Sequence, residues 1–397
     1  MKETKYQLIE NSLFFLMGLF VFSSMCTILS LQFLKLPMAM PELLIIPFLF
    51  FLKKKFKTLK FHSIDFAYVL IVIAVLLLFG MLYGQFSLKG MLSVSRSWAY
   101  MLLCMFVFTR KNMISADNLM FLAFGSVFGW FVVSIFNYQV FLVSISDKSF
   151  ANTYGLMLAI PLFLTVSLDR SKQFVFFLGL FFVLGIIVFA GIRRTLAVAV
   201  LAIIIAFIMS SRNLKRSVLN IIILLIIIAV LQYILPLISG YLYDVSYGMY
   251  HRLFGRTEIY LEGGVLSSDQ HRINNISSLF DNFVDLTIPH GMVSLRTQSE
   301  EGTGLFNDYP LYELCWMFGW ITTIVIMIWF FNLLLQNYRK YKRYKDTTSM
   351  ISVNCLLVMF MLLFLEGTFL NYPYAAPITG VLIGRAILNA KSKLKIA

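Results

Sequence analysis

The chain has 397 residues, of which 60% are hydrophobic and only 13% are charged. A soluble chain of this length would carry roughly 25% charged residues, so the composition excludes a string of soluble domains. The net charge of +14 would suggest nucleic acid as the partner of a soluble protein, but in a membrane protein the gathering of Lys and Arg on the cytoplasmic side accounts for it.

Apolar runs follow one another along the chain, most of them near the ~20 residues that a helix needs to cross a bilayer. They read as spans over 11–32, 37–53, 64–83, 97–109, 118–143, 153–168, 173–191, 195–210, 218–236, 310–335, 350–366 and 375–390. The expected fold is all-α: a polytopic bundle of about twelve transmembrane helices with one large external loop carrying short helices. The chain divides into 1–236, holding the first nine spans, the loop 237–309, and 310–397, holding the last three. The first run is long and lacks a small-residue cleavage pattern, which makes it a retained anchor rather than a signal peptide.

Charge orients the bundle. With the N-terminus inside, Lys2, Lys5 and the connections KKKFKTLK (53–60), RK (110–111), DRSK (169–172), SRNLKR (211–216), NYRKYKRYK (337–345) and KSKLK (391–395) hold 22 of the 33 Lys and Arg. The opposite side holds 10: Lys35, Lys89, Arg96, Lys148, Arg193, Arg194, Arg252, Arg256, Arg272 and Arg296. Arg385, six residues before Lys391, is expected to snorkel to the cytoplasmic surface. Both termini are therefore expected inside and the long polar linker, Ser239 to Asp308, outside.

The four cysteines, Cys26, Cys104, Cys315 and Cys355, fall in apolar runs and read as small buried hydrophobes. No P-loop, GxGxxG, HExxH or DxD pair occurs, so neither nucleotide, metal nor other cofactor is expected. The external His251, His271 and His290 lack partners at zinc-ligand spacing.

External charge works against the topology bias and so marks candidate sites. Arg193 and Arg194, in AGIRRTLAVAV, sit where two apolar runs meet almost without a loop. They suit either an interfacial anchor or an anion clamp, since Arg engages phosphate through a planar fork. Arg272 lies on an expected external helix that Asp269 would cap, with Ile273, Ile276, Phe280 and Phe283 at helical spacing. That helix would lie on the membrane surface or cap the bundle, leaving Arg272 either solvated or turned into a cavity. Asp308 and Glu313 bracket the start of the tenth span. Each suits a helix-dipole partner or a general base at the floor of a basic cavity. Tyr241, Tyr243, Tyr247 and Tyr250 read as an interfacial belt.

Four segments, taken in order, resemble the O-antigen ligase and polymerase family of membrane glycosyltransferases. NTYGLMLAIPLFL (152–164) is similar to the family's Asn-x-x-Gly/Ala helix opening, and GIRRTLAVAVL (191–201) to its small-Ser-Arg-Thr segment, with Arg194-Thr195 at the Arg-Thr position. SSDQHRINNISSLFDNFVDLTIPHG (267–291) is similar to Ser-Gly-Arg-Ile…Pro-Leu-x-Gly, with Arg272-Ile273 on the Arg-Ile pair and Gly291 on the closing Gly. DYPLYELCWMFGW (308–320) is similar to the opening of the helix after the loop, with Asp308 where family ligases carry His.

The resemblance, covering roughly 150–330, implies polymerisation of undecaprenyl-pyrophosphate-linked repeats into O-antigen, capsule or exopolysaccharide at the outer face of the bacterial cytoplasmic membrane. Donor and acceptor are then both lipid-linked glycans, with a flippase and a chain-length regulator as further partners and no nucleic acid. It implies that Arg194 and Arg272 engage the pyrophosphate; on that reading Arg193 shares the anion clamp with Arg194, Arg252 and Arg256 are secondary candidates, and Asp308 or Glu313 orients or deprotonates the acceptor hydroxyl. The Asp in place of His favours a polymerase over a ligase acting on lipid A. A lipid-linked-oligosaccharide flippase is the rival from another class, and it would place charges mid-membrane and show repeat symmetry. A structural or sensory membrane protein is the third alternative.

Overall fold

The computed structural model describes residues 2–20, 63–82, 88–110, 115–141, 158–163, 173–190, 279–291, 310–364 and 376–391, with single positions between them. Every described element is helical: α1 (Lys2–Phe20), α2 (Ser63–Leu82), α3 (Leu88–Arg110), α4 (Ala116–Phe141), α5 (Gln173–Ala190), a 3-10 turn (Asp285–Thr287), α6 (Pro310–Tyr344), α7 (Thr347–Leu362) and α8 (Ala376–Lys391). Two of these helices are long and apolar enough to cross a membrane: α4, over Ala116–Val133, and α6. Most of each of the expected spans 37–53, 153–168, 195–210 and 218–236 lies outside the described residues, although Val198 and Ala202 of 195–210 are described, helical and buried.

Three helices depart from their expected bounds. α1 begins at Lys2 rather than near 11, α3 begins at Leu88 rather than near 97, and α6 continues to Tyr344 rather than stopping near 335. In each case polar and basic residues extend an apolar run without breaking the helix. Lys and Arg are good helix formers, so hydropathy underestimates where the backbone stops.

The chain forms two compact units, 1–40 with 116–269 and 41–115 with 270–397. In the first, α1 and α4 lie parallel. Asn118 Nδ2 donates to Glu10 Oε1 at 2.7 Å. Further along, Gly18 abuts the backbone of Leu122 and Gly125 that of Phe15. Phe124, Phe128 and Phe131 then pack on Phe182 of α5 at 4.9–5.9 Å between ring centroids. Of the tyrosine belt, Tyr241 and Tyr243 are exposed, while Tyr250 is buried with its ring edge-on to Tyr243 at 5.0 Å.

The second unit is built around α6, whose directions relative to its neighbours follow from named contacts. Leu311 N–H, at the start of α6, donates to Leu363 O just past the end of α7 (3.2 Å), so these two helices are antiparallel. Lys345, at φ 52°, turns the chain between them. Asp346 then caps α7, accepting from Ser349 N (2.9 Å) and Ser349 Oγ (2.7 Å). α8 runs parallel to α6: near its C-terminus Asn389 Nδ2 donates to Asn337 Oδ1 (2.8 Å) and Ser349 Oγ (2.9 Å), and Asn337 Nδ2 donates to Ala386 O (3.1 Å). α3 is parallel to both, since Gly380 abuts Met101 and Gly384 abuts Met105, while Trp98 packs edge-on against Phe318 at 5.1 Å.

Arg385 is packed within the protein rather than on its surface. It is 6% exposed, because α8 is packed by α3 on one side and by α6 and α7 on the others. Between its two polar ends α6 exposes Ile321, Ile324, Val325, Ile328, Trp329 and Phe331. From Gly319 to Asn337 the helix rises about 27 Å, close to the ~30 Å hydrocarbon thickness of a bilayer.

Candidate functional site

The end of the long loop docks on the start of α6, and two glycines make this possible. Gly319 interrupts α6 with φ 77° and ψ 158°. A helix broken there leaves the carbonyls of the preceding turn without their own amide donors. The loop supplies two replacements: His290 N–H donates to Trp316 O (2.9 Å) and Gly291 N–H to Met317 O (3.2 Å). A Cβ at Gly319 would stand 2.6 Å from Thr287 O. Gly291, at φ 84°, presses against the backbone of Leu76 and Gly80 in α2. The loop end is thus held between α2 and α6 by main chain on both sides.

Side chains complete the dock. Leu279, Leu286, Tyr312, Cys315 and Trp316 form a buried cluster that Leu311 and Trp320 extend. The His290 imidazole stacks on the Trp316 indole at 3.9 Å with a 13° interplanar angle. Asn282 meets the Tyr312 side chain through a hydrogen bond. Burial holds the His290 pKa below the ordinary histidine value. Hydrogen bonding to the Ile288 and Trp316 main chain and the charge of Asp285 oppose that shift without cancelling it.

Of the apolar residues expected at helical spacing on the external helix, Ile273 and Ile276 lie outside the described residues and Phe280 and Phe283 are described. Leu279 and Leu286 are buried, whereas Phe280 and Phe283 are 71% and 52% exposed. The helical turn gives way after Asp281 to turns and then the 3-10 segment, which shifts the apolar phase away from a 3.6-residue repeat.

Of the expected site residues the structure describes Glu313. It lies in the first turn of α6, 3% exposed, one turn before the Trp316 that carries His290. Asp308, Arg272, Arg193, Arg194, Arg252 and Arg256 lie outside the described residues. Cys104, Cys315 and Cys355 are free and buried.

From the sequence His290 is weighed only as a zinc ligand and set aside, and neither Trp316 nor Gly319 stands out as a site residue. The available signal was the pairing of Pro289-His290-Gly291 with a glycine ending the first two turns of the next helix. Glu313 is a buried carboxylate in the first turn of the helix on which the loop docks, and a carboxylate can accept a proton from a hydroxyl brought to it. Comparisons of the chain with protein-family models, with curated proteins and with solved structures find no match.

Proposed function

We propose that this protein is a polytopic glycosyltransferase that polymerises lipid-pyrophosphate-linked oligosaccharide repeats. The observation that carries the reading is the docking of the segment ending at Gly291 on the helix that carries Glu313. These are two of the segments whose sequences resemble the O-antigen ligase and polymerase family. The helix directions in the second unit support the rest. α3, α6 and α8 run one way and α7 the other, the alternation that the Lys and Arg distribution requires if twelve spans place both termini inside and the loop outside.

In the proposed reaction an acceptor-glycan hydroxyl attacks the anomeric carbon of the donor. The new glycosidic bond forms as the bond to the pyrophosphate oxygen breaks. The hydroxyl proton passes to Asp308 or Glu313, and the lipid pyrophosphate departs carrying the bonding electrons. Arg194 and Arg272, with Arg193, Arg252 and Arg256 near them in sequence, neutralise the growing negative charge. Hydrogen bonds to a charged group contribute about 1.5–3 kcal/mol each, and they accelerate the reaction only to the extent that they strengthen in the transition state. The leaving group supplies the activation, so the reading requires no nucleotide. Asp308 in place of the ligase His favours chain growth over transfer to lipid A.

Arg272 provides the test. Arg272→Ala is expected to stop polymerisation, so that single repeats accumulate on the lipid carrier. Arg272→Lys should rescue poorly, because a point charge does not reproduce the fork, while Arg296→Ala should be tolerated. Wild-type polymer length from Arg272→Ala at matched protein level removes Arg272 from the site, and equal losses at Arg272 and Arg296 remove the clamp.

A further inference from the structure

The exposed face of α6 changes character along its length without changing direction. Ile321, Val325, Ile328 and Leu335 follow one another at spacings of four, three and seven residues, and the same stripe continues into Arg339 and Lys342. Ile321, Val325 and Ile328 are exposed, as are Tyr338, Arg339, Lys342, Arg343 and Lys345 beyond them. Apolar side chains that meet no protein are those a hydrocarbon core would cover. The cations begin at Arg339, about 30 Å along the axis from the kink at Gly319, a length that matches the ~30 Å hydrocarbon thickness, beyond which lipid phosphates would lie.

Four further observations separate this patch from the ordinary basic end of a span. The helix stays regular to Tyr344, so the cations are held on a rigid surface rather than on a loose connection. The acid next in sequence, Asp346, has both carboxylate oxygens engaged by Ser349. Lys340, the cation on the inward side, is turned away to donate to Asn389 O. Aromatic rings lie beneath two of the charges, with Arg343 over Tyr344 at 5.3 Å and Lys345 over Tyr341 at 4.6 Å. This juxtaposition of an amphipathic ring and a cation suits the headgroup level of a bilayer.

We propose that Arg339, Lys342 and Arg343 form a binding site for the phosphate headgroup of an anionic phospholipid in the leaflet at the α6–α7 turn. The site's acyl chains would lie along the apolar stripe above it. The inference rests on α6 crossing a membrane and not on the proposed glycosyltransferase activity, so its failure is read separately from a failure of that activity.

The test uses the full chain purified in mild detergent, with phosphatidylglycerol or phosphatidylcholine added and bound lipid counted by native mass spectrometry. Phosphatidylglycerol is expected to stay bound where phosphatidylcholine is stripped. Each cation near a membrane surface contributes roughly a factor of five in affinity. The triple substitution Arg339→Gln, Lys342→Gln, Arg343→Gln should therefore weaken phosphatidylglycerol binding roughly a hundredfold, and Arg339→Gln alone roughly fivefold. A charge-matched triple, Lys53→Gln, Lys54→Gln, Lys55→Gln, should leave it unchanged. Equal retention of the two lipids by the wild-type chain overturns the proposal without recourse to any variant. Equal losses from the two triples assign the attraction to net charge and overturn the site on α6. Displacement of the lipid by inorganic phosphate makes it a free-anion site and overturns it as well.

Discussion

Gly319→Ala puts the docking of the loop under direct test. At φ 77° and ψ 158° the backbone lies in a region open essentially to glycine, where another residue costs about 1–3 kcal/mol. The added methyl carbon would stand 2.6 Å from Thr287 O. That neighbour is main chain, so the contact is relieved by moving the loop rather than a side-chain rotamer. Moving the loop gives up two backbone hydrogen bonds of about 0.5–1.5 kcal/mol each and an aromatic stack of about 0.5–1.5 kcal/mol. The strain and the restraints are of similar size, so the variant should open measurably without unfolding the unit. At ~1.4 kcal/mol per tenfold, a penalty of about 1–3 kcal/mol raises the open population roughly 5- to 150-fold. Cys315 reports it, being fully buried in the cluster that the loop covers. In a chain with Cys26, Cys104 and Cys355 replaced by Ala, maleimide labelling of Cys315 should accelerate by that factor when opening precedes labelling. An unchanged labelling rate in a folded Gly319→Ala protein would refute the role assigned to the kink.

At the opposite end of α6, Asn389→Ala removes the donor to Asn337 Oδ1 and Ser349 Oγ and strands buried acceptors at about 1–3 kcal/mol each. The Tm in detergent should fall clearly below wild type, and an unaltered Tm would show that the network contributes nothing to stability. Because burial lowers the His290 pKa, the imidazole binds protons more readily when the loop is unfolded. Its contribution to stability is therefore complete above the ordinary histidine value near 6.5 and is lost as pH falls toward the lowered folded value. Thermal unfolding across that window should show the loss in wild type and a smaller one in His290→Phe, which keeps a ring on Trp316; identical pH profiles would contradict it. Asp308→Asn should end chain growth while the protein accumulates normally, whereas a mere helix cap would tolerate Asn, which caps as well as Asp. Single cysteines placed within 239–308 should react with an impermeant thiol reagent in intact cells; labelling only after lysis would reverse the proposed topology.

Much of the helical content was legible in the sequence because it is a composition effect. The apolar runs at 64–83, 118–143, 173–191 and 375–390 reappear within a residue or two as α2, α4, α5 and α8. A backbone surrounded by apolar side chains satisfies its own hydrogen bonds locally, and in lipid only helices and closed barrels do so. The free, buried state of Cys104, Cys315 and Cys355 follows from the same runs. Glu313 was legible as a candidate from its place at a helix start, although its burial was not.

What tertiary structure decided lies at the ends of α6. Whether Gly319 interrupts the helix depends on Thr287 and Pro289, about thirty residues earlier in the chain, and no local pattern encodes that approach. Asn337, Asn389 and Ser349 each look like an isolated polar residue in or near an apolar run, and only the packing of three helices turns them into one bonded network. Arg385 was expected at the surface because hydropathy sees its distance from Lys391 and not the three helices around it. Local propensity determines that a segment is helical, since its hydrogen bonds close within a few residues. Which polar groups are buried depends on partners far away in sequence, and so only the folded arrangement decides it.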